Sequence, residues 1–299
     1  MILNALDEVL FWDDIDSLKS ITKQLDEKYY PHDYESFHKE YNCFFKSHIP
    51  DKAEFIRRMK HYADVGRPVW VSGRNESCDD IDADEMIKAI SVSSKLENGE
   101  SKAVRASKWL GNAPSFWNFY TQNILHLKEN RILELTIGAG GGTNAVVKEM
   151  TDTDYYMGVD IDFVCAKNAD ALAKYYNVNG LGITSSLWRL PFVDCMFTSV
   201  CSNAGLEECR EIPTILEEAY RVLLPQGRIV LHCLNINKMQ SYNRFEQYGF
   251  SKDEIIYWAK QIRLYASAEG IEELLKRIGF DFIKRIDDEN LGSILVYEK

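Results

Sequence analysis

No stretch of this chain approaches the ~20 consecutive apolar residues that a bilayer-crossing helix needs. Basic charge is also scarce. Against 46 Asp and Glu stand 35 Lys and Arg, a net charge of −11 over 299 residues. The deficit is spread along the chain: 17 basic and 22 acidic residues precede Arg131, and 18 and 24 follow from it. A surface of this sign disfavours phosphate backbones and anionic headgroups, so neither a nucleic-acid partner nor membrane attachment is expected. The opening stretch lacks a basic start and an unbroken apolar run, since Asp7, Glu8, Asp13 and Asp14 interrupt it, and it does not read as a secretory signal. C-x-x-C pairs are missing. The 7 cysteines (Cys43, Cys78, Cys165, Cys195, Cys201, Cys209 and Cys233) are odd in number and match no zinc spacing. Reduced thiols and a cytoplasmic location are the simpler expectation. Internal repeats and low-complexity tracts are absent as well. A hydrophobic content of 45% with 27% charged residues excludes disorder of the whole chain.

What is present divides near residue 128. The earlier part reads mainly as helices: Ile15, Leu18, Ile21 and Leu25 share one apolar face, and Phe55, Ile56, Met59 and Tyr62 form another. A helix is expected over about 82–96, and Pro114 opens one through SFWNFYTQNILHL. From Arg131 the pattern changes. RILELTIG, YYMGVDID, LGITSSL, MFTSVCSNA and RIVLHCLN read as strands, with helices in NAVVKEM, FVCAKNADALAKYY and IPTILEEAYRVL between them. IEELLKRIG is a later helix, and two strands flank Asn290-Leu291-Gly292. This alternation predicts an α/β fold: a doubly wound, Rossmann-like, mostly parallel seven-stranded sheet with an antiparallel C-terminal strand and a mainly helical N-terminal extension. The expected domains are 1–128, helical, and 129–299, containing the sheet.

The segment from Glu134 to Thr143 joins a strand to a helix, where doubly wound proteins bind nucleotides. Gly138 and Gly140 fit G-x-G-x-x-G, but Thr143 replaces the third glycine, so the dinucleotide fingerprint is half met. Tight packing is the competing explanation for such a turn. Asp160 stands at the tip of the second strand, where an acid accepts hydrogen bonds from both ribose hydroxyls. The alternative for Asp160 or Asp162 is a helix N-cap, which suits Asp162 better. Glycine turn and acid together favour a nucleoside ligand.

LELTIGAGGGT, GVDID, LPFVDCMF and ILEEAYRVLLPQGRIVL, in this order, resemble the motifs of class I S-adenosylmethionine-dependent methyltransferases, in particular the small-molecule branch of ubiquinone and menaquinone biosynthesis. The resemblance covers about 131–235 well and 270–299 moderately, and leaves the N-terminal region aside. It implies S-adenosyl-L-methionine as cofactor. Glu134 resembles the acid that orders the first loop near the methionine amino group. Gly138, Ala139 and Gly140 match the turn beside methionine and ribose, Asp160 the ribose acid, and Ile161 the apolar residue beside adenine. Ser186 stands where the family commonly has an Asp facing the adenine amino group. Leu187 is placed to pack on the ring, and Asn203 to line the methionine end. Thr198 replaces an Asp that usually follows LPF-x-D-x-F, which leaves that residue's structural contact open.

Methyl transfer is an in-line displacement in which the cofactor carries the reactive group and the protein holds the acceptor in alignment. A base helps only some acceptors. His232, at the end of the fifth strand, is the leading base candidate, against the alternative of a satisfied histidine beside the sheet. Trp117 and Tyr120 belong to an aromatic cluster with two readings: contacts to the small-molecule acceptor, or an amphipathic helix packed on the sheet. No metal is expected. Asp80, Asp82 and Asp84 begin a calcium-like run, but Glu85 and Ser91 stand where a calcium loop needs glycine and an acid. The competing functions are a nicotinamide-dependent oxidoreductase and a non-catalytic nucleoside- or protein-binding member of the fold.

Overall fold

A computed structural model describes residues 110–138, 140–160, 163–185, 187, 189–206, 209, 212–235 and 267–299, together with positions 53, 103, 104, 107 and 251. The N-terminal helices expected before residue 97 lie outside these residues, apart from position 53.

Seven strands form one sheet: β1 (Arg131–Leu135), β2 (Tyr155–Asp160), β3 (Asn179–Thr184), β4 (Phe197–Asn203), β5 (Leu223–Cys233), β6 (Asp281–Asp288) and β7 (Gly292–Glu298), in the order β3-β2-β1-β4-β5-β7-β6. The first five are mutually parallel, and β7 runs antiparallel between β5 and β6. The helices are α1 (Pro114–Ile124), α2 (Gly141–Val147), α3 (Phe163–Tyr176), α4 (Ile212–Val222) and α5 (Ala268–Ile278).

Strand periodicity sorts the side chains between two cores. Leu133, Leu135, Met157, Val159, Val200, Ile229, Leu231, Leu295 and Tyr297 point to one face, under α4 and α5. Ile132, Tyr156, Cys201, Val230, Ile294 and Val296 point to the other, under α1, α2 and α3. Burial on both faces explains why these strands read as continuous apolar runs. The sheet, its order and its antiparallel end have the architecture expected from the sequence. Helix α1 forms part of the second face although it precedes residue 128: Phe116, Trp117, Tyr120 and Ile124 pack there.

Three local features differ from expectation or complete it. Strand β3 starts at Asn179, two residues before the apolar run, because Asn179 and Gly180 pair with Tyr155 and Tyr156. The PQG turn lies inside β5 as an irregularity: the register with β4 shifts between Phe197 and Ser199, and Gln226 takes φ 63°. Thr198 keeps a structural contact in place of the family's Asp. Its hydroxyl accepts from the Arg131 N–H at 2.8 Å and lies 3.0 Å from the Arg131 carbonyl, tying β4 to the start of β1. Nearby, Arg221 on α4 donates to the carbonyls of Phe192 and Leu190 and to Asp194 and Glu218, which staples the LPFVD loop to the helix.

Candidate functional site

The C-terminal ends of β1, β2, β4 and β5 meet where the strand order reverses, on either side of β1. A crevice at such a switch point is where open α/β sheets bind ligands. The chain leaves β1 through two left-handed residues, Thr136 (φ 61°) and Gly138 (φ 52°), and enters α2 through a third, Gly140 (φ 82°). A β-branched side chain in the left-handed region costs about 1–2 kcal/mol. Thr136 is held there by its backbone N–H on the Val159 carbonyl (3.0 Å) and by a 2.7 Å contact between its hydroxyl and that of Ser202. A Cβ added to Gly138 would meet no atom within 4 Å, so this side of the turn is open. The carbonyl of Gly138 is fixed by Asn168 Nδ2 at 2.6 Å.

Asp160, half-buried at the tip of β2, accepts the Gly138 N–H on Oδ2 at 3.0 Å. Turn and acid, predicted to act together, are in direct contact. A carboxylate offers about four lone-pair positions, so one bond to the turn is compatible with accepting ribose hydroxyls as well.

Beneath the turn lies a buried polar cluster drawn from several separate elements. Glu134 is fully buried on β1. Its Oε2 accepts from the hydroxyls of Tyr156 and, at 2.7 Å, Thr143. Its Oε1 is buried and has no hydrogen-bond partner among the described residues. Burial, reinforced by the charge of Asp160, pushes the carboxyl up to about 7 despite the two hydroxyl donors. Tyr120 and Cys201 complete the cluster, and burial raises both well above their usual values. Gly142, the second residue of α2, is what admits Glu134. A Cβ there would fall 2.5 Å from Glu134 Oε1 and 2.6 Å from Asn203 Cβ.

Asn203 ends β4 and pairs in register with His232 on β5. The base role expected of His232 does not fit its surroundings. The ring is 2% exposed and sits edge-to-face against Phe116 and Trp117, with centroids 5.4 and 5.1 Å away. Nδ1 lies 2.6 Å from the Asn203 amide and Nε2 2.9 Å from the Leu291 carbonyl, so both ring nitrogens are engaged. Burial lowers its pKa to about 4. His232 is the satisfied histidine beside the sheet.

Trp117 and Tyr120, at 4% and 0% exposure, are core residues of α1 packed on the sheet, the second of the two readings the sequence offers for them. Leu187 is 4% exposed and belongs to the first core cluster with Leu190 and Phe192. Ala139, Ile161 and Ser186 lie outside the described residues. The site therefore brings together Glu134, Gly138, Gly140, Asp160 and Asn203. To these it adds Thr136, Gly142 and Thr143, three residues of the quoted glycine motif whose individual parts needed coordinates.

Comparison with known proteins finds methyltransferases. A family model described as a methyltransferase domain matches residues 135–231, from the end of β1 into β5. Among curated relatives, the 2-methoxy-6-polyprenyl-1,4-benzoquinol methylase of Drosophila melanogaster is 28% identical over 118 residues, 34% of this chain and 38% of its own. The ubiquinone/menaquinone biosynthesis C-methyltransferase of Rickettsia felis is 28% identical over 187 residues, 56% of this chain and 73% of its own. The demethylmenaquinone methyltransferase of Symbiobacterium thermophilum is 29% identical over 132 residues, 43% of this chain and 49% of its own. The match thus spans less than two thirds of the first and third of these relatives. A solved S-adenosylmethionine-dependent methyltransferase from Aquifex aeolicus aligns with 66% of this chain and 97% of its own, at 15% identity and a TM-score of 0.49. Over residues 135–231 the chain matches a methyltransferase domain, and it is similar there to class I S-adenosylmethionine-dependent methyltransferases. Within that class its curated relatives are of the ubiquinone/menaquinone-biosynthesis branch.

Proposed function

We propose that this protein transfers the methyl group of S-adenosylmethionine to a small aromatic acceptor of the hydroquinone type. The observation that carries the cofactor reading is the contact between the Gly138 N–H and Asp160 at the mouth of the crevice, beside an open glycine face. The residues present fit the cofactor. Asp160 supplies acceptors for ribose hydroxyls. The Oε1 of Glu134, without a partner among the described residues, is a buried acceptor suited to a cationic amino group. Ala139, Ile161, Ser186 and Leu187 are assigned to it by the family pattern.

When bound, S-adenosylmethionine supplies an electrophilic methyl group on a positively charged sulfur. The remaining work falls to the chain. The β1 turn and Asp160 fix the adenosine end, and Glu134 and Asn203 fix the amino-acid end. A cofactor held at both ends presents its methyl group in one direction, and alignment of an acceptor with that direction lowers the barrier by several kcal/mol. His232 takes no proton from the acceptor in this scheme. A hydroquinone ionised at one oxygen is nucleophilic at the adjacent ring carbon. The acceptor class rests on the named substrates of the curated relatives. A cytoplasmic location is part of this reading, supported by an odd number of cysteines with no C-x-x-C pair.

Incubation with methyl-labelled S-adenosylmethionine and a panel of demethylated benzo- and naphthohydroquinones tests the proposal. Label is expected on the quinol ring carbon. Binding of the cofactor with no label on any quinol would remove the acceptor assignment.

A further inference from the structure

Helix α3 turns a buried face to the glycine turn, and one residue on that face is polar. The other buried residues described on α3 are Ala166, Ala169, Leu172 and Ala173. Asn168 is fully buried among them, and its Nδ2 donates to the Gly138 carbonyl at 2.6 Å. Its Oδ1 is buried with no hydrogen-bond partner among the described residues. Helix and turn are in close contact: a Cβ on Gly140 would lie 2.9 Å from Leu172 Cδ1 and 3.7 Å from Asn168 Cβ. Stripping water from an unpaired amide oxygen costs about as much as one hydrogen bond gains. Stability alone gives little reason for an amide at this position.

The bond matters for what it holds. Gly138 takes φ 52°, and glycine has more backbone freedom than any other residue. Its N–H donates to Asp160 Oδ2 at 3.0 Å, and its carbonyl accepts from Asn168. Asp160 ends β2 and Asn168 lies on α3, the next helix. One β-α unit therefore grips both backbone groups of a single residue in the neighbouring turn. With both groups held, rotation about the two backbone bonds of Gly138 is stopped, and the N–H stays on the carboxylate. With the carbonyl released, the N–H can swing off Asp160, and the carboxylate loses a donor that fixes its direction.

We infer that Asn168 is a positioning residue: by clamping the Gly138 carbonyl it keeps the Gly138 N–H on Asp160, and so sets the direction of that carboxylate at the mouth of the crevice. Asn168 touches no ligand in this scheme. Its effect passes through Asp160 and concerns the part of the ligand that Asp160 binds. That this part is a ribose rests on the function proposed above; the clamp on Gly138 does not.

The test has two parts and uses Asn168→Ala and Asn168→Ser, neither of which reaches the Gly138 carbonyl. Both are expected to melt cooperatively; collapse of both would show a structural residue and overturn the inference. In protein labelled with 15N-glycine and free of ligand, hydrogen exchange is followed at Gly138 and at Gly158, which pairs inside the sheet on both sides. The Gly138 amide is expected to be protected in the unaltered protein and to exchange about tenfold faster in the variants, with Gly158 unchanged. Equal acceleration at both glycines, or none at Gly138, would overturn the clamp. Calorimetry then compares S-adenosylmethionine with its analogue lacking both ribose hydroxyls. The unaltered protein is expected to prefer S-adenosylmethionine about tenfold and the variants about twofold, the loss falling on S-adenosylmethionine and not on the analogue. An undiminished preference in the variants would overturn the action through Asp160. If the unaltered protein binds neither ligand, or both alike, the ribose reading fails, while exchange at Gly138 still decides the clamp.

Discussion

The backbone N–H of Gly138 and the Oδ2 of Asp160, 22 positions apart in sequence, are hydrogen-bonded across 3.0 Å. Asp160→Ala therefore removes both an acceptor for ribose and a tie on the glycine turn. The expected loss of S-adenosylmethionine affinity is about 1–3 kcal/mol, a roughly five- to hundredfold rise in Kd. Calorimetric titration measures it; an unchanged Kd would take Asp160 out of the site.

Gly142→Ala places a methyl group 2.5 Å from Glu134 Oε1 and 2.6 Å from Asn203 Cβ. One of these side chains has to move. A destabilisation of about 1–3 kcal/mol is expected, as for overpacking of a filled interior, together with weaker cofactor binding. Urea denaturation and calorimetry check the two effects. A variant as stable as the parent would show that the space over Gly142 is not closed.

The buried carboxyl of Glu134 makes stability depend on pH. Its pKa is raised by burial from 4.5 to about 7. The folded state therefore holds a proton that the unfolded state gives up at lower pH. The associated stability is complete below about pH 4.5 and is lost as pH rises through about 7, by an amount on the order of 3 kcal/mol. Glu134→Gln has no such proton, and its stability between pH 5 and 8 is expected to fall less than the parent's by about that amount. Parallel stability profiles for the two proteins would contradict the assignment.

Tyr156→Phe deletes one of the two hydroxyls donating to Glu134 Oε2. The deletion is expected to cost about 1–2 kcal/mol. Because that hydroxyl favours the ionised carboxylate, the cost is larger at pH 8 than at pH 5. Denaturation midpoints at the two pH values provide the check.

The sheet was legible because its strands are buried on both faces and are separated by helices of ordinary length. The motif order supplied the glycine turn and Asp160. Other features depended on three-dimensional placement. The polar network under the turn draws Glu134 from β1, Thr143 from α2, Tyr156 from β2, Cys201 from β4 and Tyr120 from α1, and no spacing rule links five separate elements. Sequence alone leaves His232 between base and satisfied histidine because it shows the end of a strand near the crevice but not the carbonyl of Leu291, 59 residues away, that engages its ring. Trp117 and Tyr120 have the helical spacing of a core-facing stripe. Whether such a stripe covers a sheet or a pocket is decided by what lies opposite, here His232 and the second core.

The central claim is that the crevice over β1 and β2 holds S-adenosylmethionine, and competitive calorimetry tests it most directly. S-adenosylmethionine, S-adenosylhomocysteine, NAD and NADP are titrated into the protein and into Asp160→Ala. The account predicts one site for the two sulfur nucleosides, weakened in the variant, with no heat from the nicotinamide nucleotides. Binding of NAD or NADP with none of S-adenosylmethionine would contradict it.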